Sequence, residues 1–183
     1  MSCSTFSFDS ALAEKDRKPS AWVYGKHAGK AGEMLEDTPF YRTIAEALAA
    51  APENAVHPWV IAIRPGRYRE KLTVDKPNIS LVGAGRYSTT ITFDAFAGQD
   101  RPDGQGKWGT AGSATITIQA PDFSSRGITI ANAFDFLEND RKDKTSSDRA
   151  GASQAVALML AAGADRSLFQ DVAITGYQDT HLC

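Results

Sequence analysis

Between Trp59 and Leu158 the apolar residues come in runs too short for helices. Val60-Ile61-Ala62-Ile63, Ile79-Ser80-Leu81-Val82, Thr89-Thr90-Ile91-Thr92-Phe93, Thr115-Ile116-Thr117-Ile118, Ile128-Thr129-Ile130 and Val156-Ala157-Leu158 are rich in β-branched residues, which suit a pleated, half-buried surface. No amphipathic helix of ten or more residues separates them, which disfavours alternating β-α-β units and a doubly wound sheet. Sandwich, barrel and solenoid are what remain. An internal echo favours the solenoid: Phe123-Ser124-Ser125-Arg126-Gly127-Ile128-Thr129 aligns with Phe169-Gln170-Asp171-Val172-Ala173-Ile174-Thr175 at an offset of 46, and Ala114-Thr115-Ile116 aligns with Ala155-Val156-Ala157 at an offset of 41. Unequal offsets fit stacked coils that differ by loop insertions. Residues 131–153, with their charged run Glu138 to Lys144, read as such an insertion and as a solvated loop.

Ahead of the strands, Ile44, Ala47, Leu48 and Ala51 recur at helical spacing, and Thr43 with Glu46 forms a capping-box pattern. Pro52 ends that helix, which suits it to cover one end of a larger body. Residues 1–35 show no sustained periodicity and are expected to form an irregular arm, leaving 36–183 as the folded domain. With 42% apolar and 23% charged residues the chain has material for one core. A net charge of −2 supplies no basic field for nucleic acid, so none is expected as a partner. No run approaches a membrane span and no leader-like apolar stretch is visible near the start. Cys3 and Cys183 lack any metal-knuckle spacing, and a bridge between them stays open. His27, His57 and His181 have no partners at metal-ligand spacing, so neither metal nor cofactor is expected. Gly83-Ala84-Gly85 follows a strand but precedes no helix, and reads as a turn.

The chemistry-bearing residues lie in five short motifs that occur in one order: Gly66-Arg67-Tyr68-Arg69-Glu70; Lys107-Trp108-Gly109-Thr110 with Ser113-Ala114-Thr115; Asn132-Ala133-Phe134-Asp135-Phe136; Gln154-Ala155-Val156-Ala157-Leu158; and Gly176-Tyr177-Gln178-Asp179-Thr180. Together, from about Phe40 to Thr180, they resemble the pectin methylesterases (pectinesterases), most closely the bacterial type. That resemblance implies an all-β, right-handed parallel β-helix with a short capping helix. It implies hydrolysis of galacturonate methyl esters in pectin, releasing methanol without a metal, outside the cell. It also implies roles: Asp179 as general acid and then base, Gln178 and Gln154 at the oxyanion region, and Thr110 at a substrate-binding position, with Trp108 a candidate for stacking on a sugar face. Tyr68 and Glu70 read as structural. The attacking aspartate and the arginine that orients it belong to later family motifs. The chain is therefore expected to correspond to the N-terminal portion of such an enzyme, without the C-terminal coils, to be inactive alone and to associate through an uncapped end.

The chemistry asked of these residues is coherent. A carboxylate nucleophile needs a second carboxyl group that hands a proton to the departing methoxide, and the developing oxyanion needs preorganised donors that glutamine amides provide without charge. Plainer readings stand beside each assignment. Taken alone, Gln178-Asp179-Thr180 is a turn in which the aspartate caps backbone amides, Gln154 is a satisfied amide on a strand, and Thr110 serves a glycine-rich loop. A β-helix thioesterase relative and a non-catalytic polysaccharide-binding β-helix are the competing functions. Retention of Asp179 favours pectin.

Overall fold

All pairings between named strands are parallel in the computed structural model, which describes residues 19–25 and 38–183. The strands are β1 (Ala21–Val23), β2 (Phe40–Tyr41), β3 (Trp59–Ile63), β4 (Gly66–Arg69), β5 (Leu72–Val74), β6 (Ile79–Gly83), β7 (Thr89–Phe93), β8 (Ile116–Ile118), β9 (Ser124–Asn132), β10 (Leu158–Leu160), β11 (Leu168–Thr175) and β12 (His181–Leu182). Among the described residues three short helices join them: α1 (Ile44–Ala49), α2 (Gly109–Gly112) and α3 (Phe136–Arg141).

The pairings resolve into three stacks. β3, β6 and the first half of β9 pair in turn; β4, β7 and the second half of β9 form the next face; β5, β8, β10 and β12 form the third. β11 lies along β9 on both sides of its bend. Each coil thus crosses three faces before returning beside itself, which is a parallel β-helix. Among the described residues no helix is long and apolar enough to cross a membrane.

The corner within β9 falls at Gly127, where φ is +63° and a Cβ would lie 2.9 Å from the Gly83 carbonyl oxygen. In β11 the matching corner is Asp171, at φ +50°. A left-handed residue lets one long strand turn from one face to the next without a loop. The interior is filled by side chains from all three faces, among them Ile61, Leu81, Ile91, Ile116, Ile130 and Leu158, each fully buried. Each such side chain contributes roughly 1.5–3 kcal/mol by leaving water.

α1 covers the first coil. Thr43 and Glu46 complete the capping box. Ile44 and Ala45 N–H donate to the two carboxylate oxygens of Glu70 at 3.1 and 2.9 Å. At the other end Lys76 Nζ donates to the Ala49 and Ala51 carbonyls, both at 2.8 Å. An acid at the helix start and a base at its end complement the unpaired groups and the helix dipole. Tyr68 is buried and its hydroxyl donates to the Arg64 carbonyl at 2.8 Å, so both it and Glu70 serve the framework.

Three expectations are corrected. The register of β11 on β9 pairs Leu168 with Ser124 and Ile174 with Ile130, an offset of 44 and not 46. β10 pairs on β8 at an offset of 42 and not 41, through Leu158 with Ile116. Gln154 does not sit on a strand, because β10 begins only at Leu158. In addition, Ala21–Val23, inside the stretch read as an irregular arm, forms β1 between β2 and β3. Residues 1–18 and 26–35 of that arm, with Cys3 and His27, lie outside the described residues.

Candidate active site

Gln154 and Gln178 each lie in the few residues that precede a strand of the third face, Gln178 within a bend, and the β-helix stacks those segments. Ala155 N–H donates to the Gln178 carbonyl at 3.3 Å, and Ala157 and Leu158 N–H both donate to the Thr180 carbonyl, at 3.0 and 3.1 Å. Two amides sharing one carbonyl mark a local slip in the ladder, and Asp179 at that slip has φ +51°. Aspartate tolerates this region better than most residues, and such outliers gather where a side chain must be aimed. The Asp179 side chain is exposed.

The carboxamides are held in different ways. Ser153 Oγ donates to Gln178 Oε1 at 3.3 Å, which leaves the Gln178 Nε2 hydrogens without a partner among the described residues. The Gln154 backbone carbonyl accepts from Ala97 N–H at 2.8 Å, and its side chain makes no hydrogen bond among the described residues. Both glutamines are half-buried. The backbone of the Gln154 segment thus lies against that of Gln178 and Asp179, and each glutamine keeps amide donors unused among the described residues, groups that can bind an anionic or carbonyl oxygen without adding positive charge.

Thr110 lies on α2, held against the Gln154 segment through Ser113. The Ser113 hydroxyl donates to the Thr110 carbonyl at 2.6 Å and accepts from Val156 N–H at 3.1 Å. Trp108 precedes α2, and its ring lies 4.7 Å from the Lys71 ammonium and 5.1 Å from the Arg101 guanidinium. These cations hold the ring in place. Lys71 also donates to the Ala114 carbonyl. Burial, aided by the Arg101 charge, pushes its ammonium down to about 8.

The structure thus brings Gln154, Gln178 and Asp179 together on successive coils and ties the Thr110 helix to them through one serine. Ser113, Asn132 and Ser153 are contributors that sequence reasoning did not single out. Ser113 and Asn132 fell inside the motifs quoted above, and their burial was the missing signal. A separate groove of about 360 Å³ between α1 and β5, lined by Ala45, Leu48, Lys71 and Lys76, contains none of the predicted site residues. Among the described residues no group of three His, Cys, Asp or Glu side chains is placed to hold a metal ion.

The pectinesterase family profile matches residues 34–183. The chain is 45% identical over 144 residues to pectinesterase A of Dickeya dadantii, an alignment covering 79% of this chain and 39% of that protein. It is 37% identical over 142 residues to a pectinesterase of Daucus carota, covering 76% and 37%. Among solved structures, a pectin methylesterase in complex with a hexasaccharide superposes with a TM-score of 0.80 at 41% identity, covering 91% of this chain and 46% of that one. The pectin methylesterase of Erwinia chrysanthemi superposes with a TM-score of 0.77 at 40% identity, covering 89% and 44%. The chain spans less than half the length of these relatives. The profile covers most of the chain, and the chain belongs to the pectinesterase family.

Proposed function

We propose that this chain carries the acid–base and oxyanion-binding part of a pectinesterase, a carboxylic ester hydrolase that removes methyl groups from galacturonate units of pectin. The observation that supports this reading best is the stacking of Gln154 beside the Gln178-Asp179 turn, with amide donors on both glutamines unused by the protein. In this reading an aspartate from a further family motif attacks the ester carbonyl. Gln154 and Gln178 donate to the oxygen as it becomes negative, and Asp179 gives its proton to the leaving methoxide, which departs as methanol. Water then cleaves the acyl-enzyme, with the Asp179 carboxylate taking a proton from it. Thr110 contacts the polysaccharide, with Trp108 as a further contact. Residues 36–183 form part of the family's β-helix domain, and the extracellular setting follows from its polysaccharide substrate.

Methanol release from highly methylated pectin tests this, in a form of the protein that also contains the attacking carboxylate. Loss of one oxyanion donor in Gln178→Ala is expected to lower kcat by about 10²–10³. Loss of the general acid in Asp179→Asn is expected to lower it by about 10²–10⁴. Turnover undiminished in both variants would remove these residues from the mechanism. The 183-residue chain alone is expected to bind methyl-esterified hexagalacturonate without releasing methanol, and steady turnover by it would show that the attacking group lies within it.

A further inference from the structure

Asn132, at the end of β9, is 5% exposed, and its side chain spends both its polar atoms on the backbone of other segments. Its Nδ2 donates to the Ala95 carbonyl at 2.9 Å, the Val156 carbonyl at 2.9 Å and the Ser113 carbonyl at 3.3 Å. Its Oδ1 accepts from Phe134 N–H at 3.0 Å. Two hydrogens facing three carbonyls admit only one orientation of the amide, since the reverse would set oxygen against oxygen. The three carbonyls belong to the turn after β7, the end of α2 and the Gln154 segment. The peptides flanking Val156 are consequently gripped on both sides. Val156 N–H goes to Ser113 Oγ at 3.1 Å, and the Val156 carbonyl is shared between Asn132 and the Thr115 amide, the latter at 3.1 Å.

We propose that Asn132 is a positioning residue for Gln154: by clamping the Val156 carbonyl to the Ala95 turn and the Ser113 end of α2, it sets where the Gln154 carboxamide and the Thr110 helix stand relative to each other. This rests on the functional reading of Gln154 given above. The reason to use a side chain here is geometric. The loops at 94–113 and 133–155 interrupt the strands at this level, so the continuous ladder that orients residues elsewhere is reduced to separate backbone bonds, among them Ala97 N–H to the Gln154 carbonyl and Thr115 N–H to the Val156 carbonyl. A buried amide with several acceptors reinforces those bonds at one point. Asparagine is suited to it and aspartate of equal volume is not, because a carboxylate would present acceptors to three carbonyls.

The test compares the 183-residue chain with Asn132→Asp, Gln154→Ala and the double variant, using methyl-esterified hexagalacturonate as titrant and thermal melting to verify folding. Asn132→Asp and Gln154→Ala are each expected to weaken binding about tenfold. The double variant is expected to bind no more weakly than the poorer single one, because Asn132 acts through Gln154. Amide exchange at Ala155 and Val156 should rise by at least about tenfold in Asn132→Asp, with the β3 and β6 amides unchanged. Losses that multiply in the double variant, or unchanged exchange at Ala155 and Val156 in folded Asn132→Asp, would overturn the positioning role. Undiminished binding by Gln154→Ala would overturn the functional reading only, and amide exchange would still decide the role of Asn132. Should Asn132→Asp not fold, Ser113→Ala removes the grip on Val156 from the other side and is expected to show the same non-additive pattern; multiplicative losses there count against the clamp.

Discussion

β9 and β11 are built to one plan and stand in register for most of their length, yet their side chains live in different surroundings. Ile128 and Ile130 of β9 are fully buried, whereas their partners Val172 and Ile174 of β11 are half-buried and Leu168 is 63% exposed. β9 is flanked by β6 and β7 on one side and β11 on the other, while β11 pairs with β9 alone among the described strands. Position in the stack, and not residue type, therefore decides how much each isoleucine contributes. The corners differ as well. Gly127 turns β9 where the Gly83 carbonyl leaves no room for a side chain, and Asp171 turns β11 at the surface, where its carboxylate lies 3.4 Å from Arg86.

The sharpest way to break this comparison is to shorten the paired isoleucines. Ile130→Ala is expected to cost about 2–5 kcal/mol through lost burial and a residual cavity. Ile174→Ala should cost about 1 kcal/mol, since it removes only partly buried surface. Equal losses in denaturant melts would show that the outer coil is as well covered as the inner one. The corners come next. Gly127→Ala meets both an unfavourable φ and a carbonyl oxygen, for an expected loss of about 1–3 kcal/mol. Asp171→Gly relieves backbone strain and gives up an exposed ion pair, a net change below about 1 kcal/mol. If the two substitutions proved equally harmful, close backbone approach would not be what distinguishes the corners.

The last expectation is in the pH dependence and concerns the covered coils. Burial, with a smaller contribution from Arg101, pushes Lys71 from its ordinary 10.5 down to about 8. Between those values the unfolded chain holds more protons, so stability rises with pH. Burial first, and Glu70 second, push Tyr68 from 10.0 up to about 12, with Arg64 opposing. There the folded chain holds the extra proton, so stability falls from pH 10 toward 12. Alkaline titration of the melting temperature should therefore show a rise and then a fall. Lys71→Met should remove the rise and Tyr68→Phe the fall. A rise that survives in Lys71→Met would mean that the ammonium is not held out of water in the folded state.

Local patterns in the chain were enough to announce β3, β6, β7, β8 and β9, α1 and its cap, and the motifs that carry the family likeness, whereas β1, β2, β4, β5 and β12 went unannounced and the run at Val156–Leu158 fell two residues ahead of β10. β-branched runs and Thr43 with Glu46 act over a few residues, and their physics is the same in any surroundings. Register was legible only in part. An offset of 46 in place of 44 keeps Phe169 and Ile174 of β11 on their correct faces, because strand patterns have a period of two, and it fails only at the corner, where Val172 would stand on Arg126 in place of Ile128. The one-residue error at β10 arose where Ala155 to Leu158 are buried without alternation, so no face could be read.

The sequence by itself determined that this chain coils into short parallel strands and that Gln154, Gln178 and Asp179 are its distinctive polar residues. Only the tertiary structure decided the corners at Gly127 and Asp171, the place of Gln154 off its strand, and the clamp by Asn132. Those features depend on carbonyls contributed by segments 19 to 44 residues away (Ser113 to Asn132, Gly83 to Gly127). Such contacts are set by the lengths of the intervening loops and the stacking of whole coils, which no local window of residues contains.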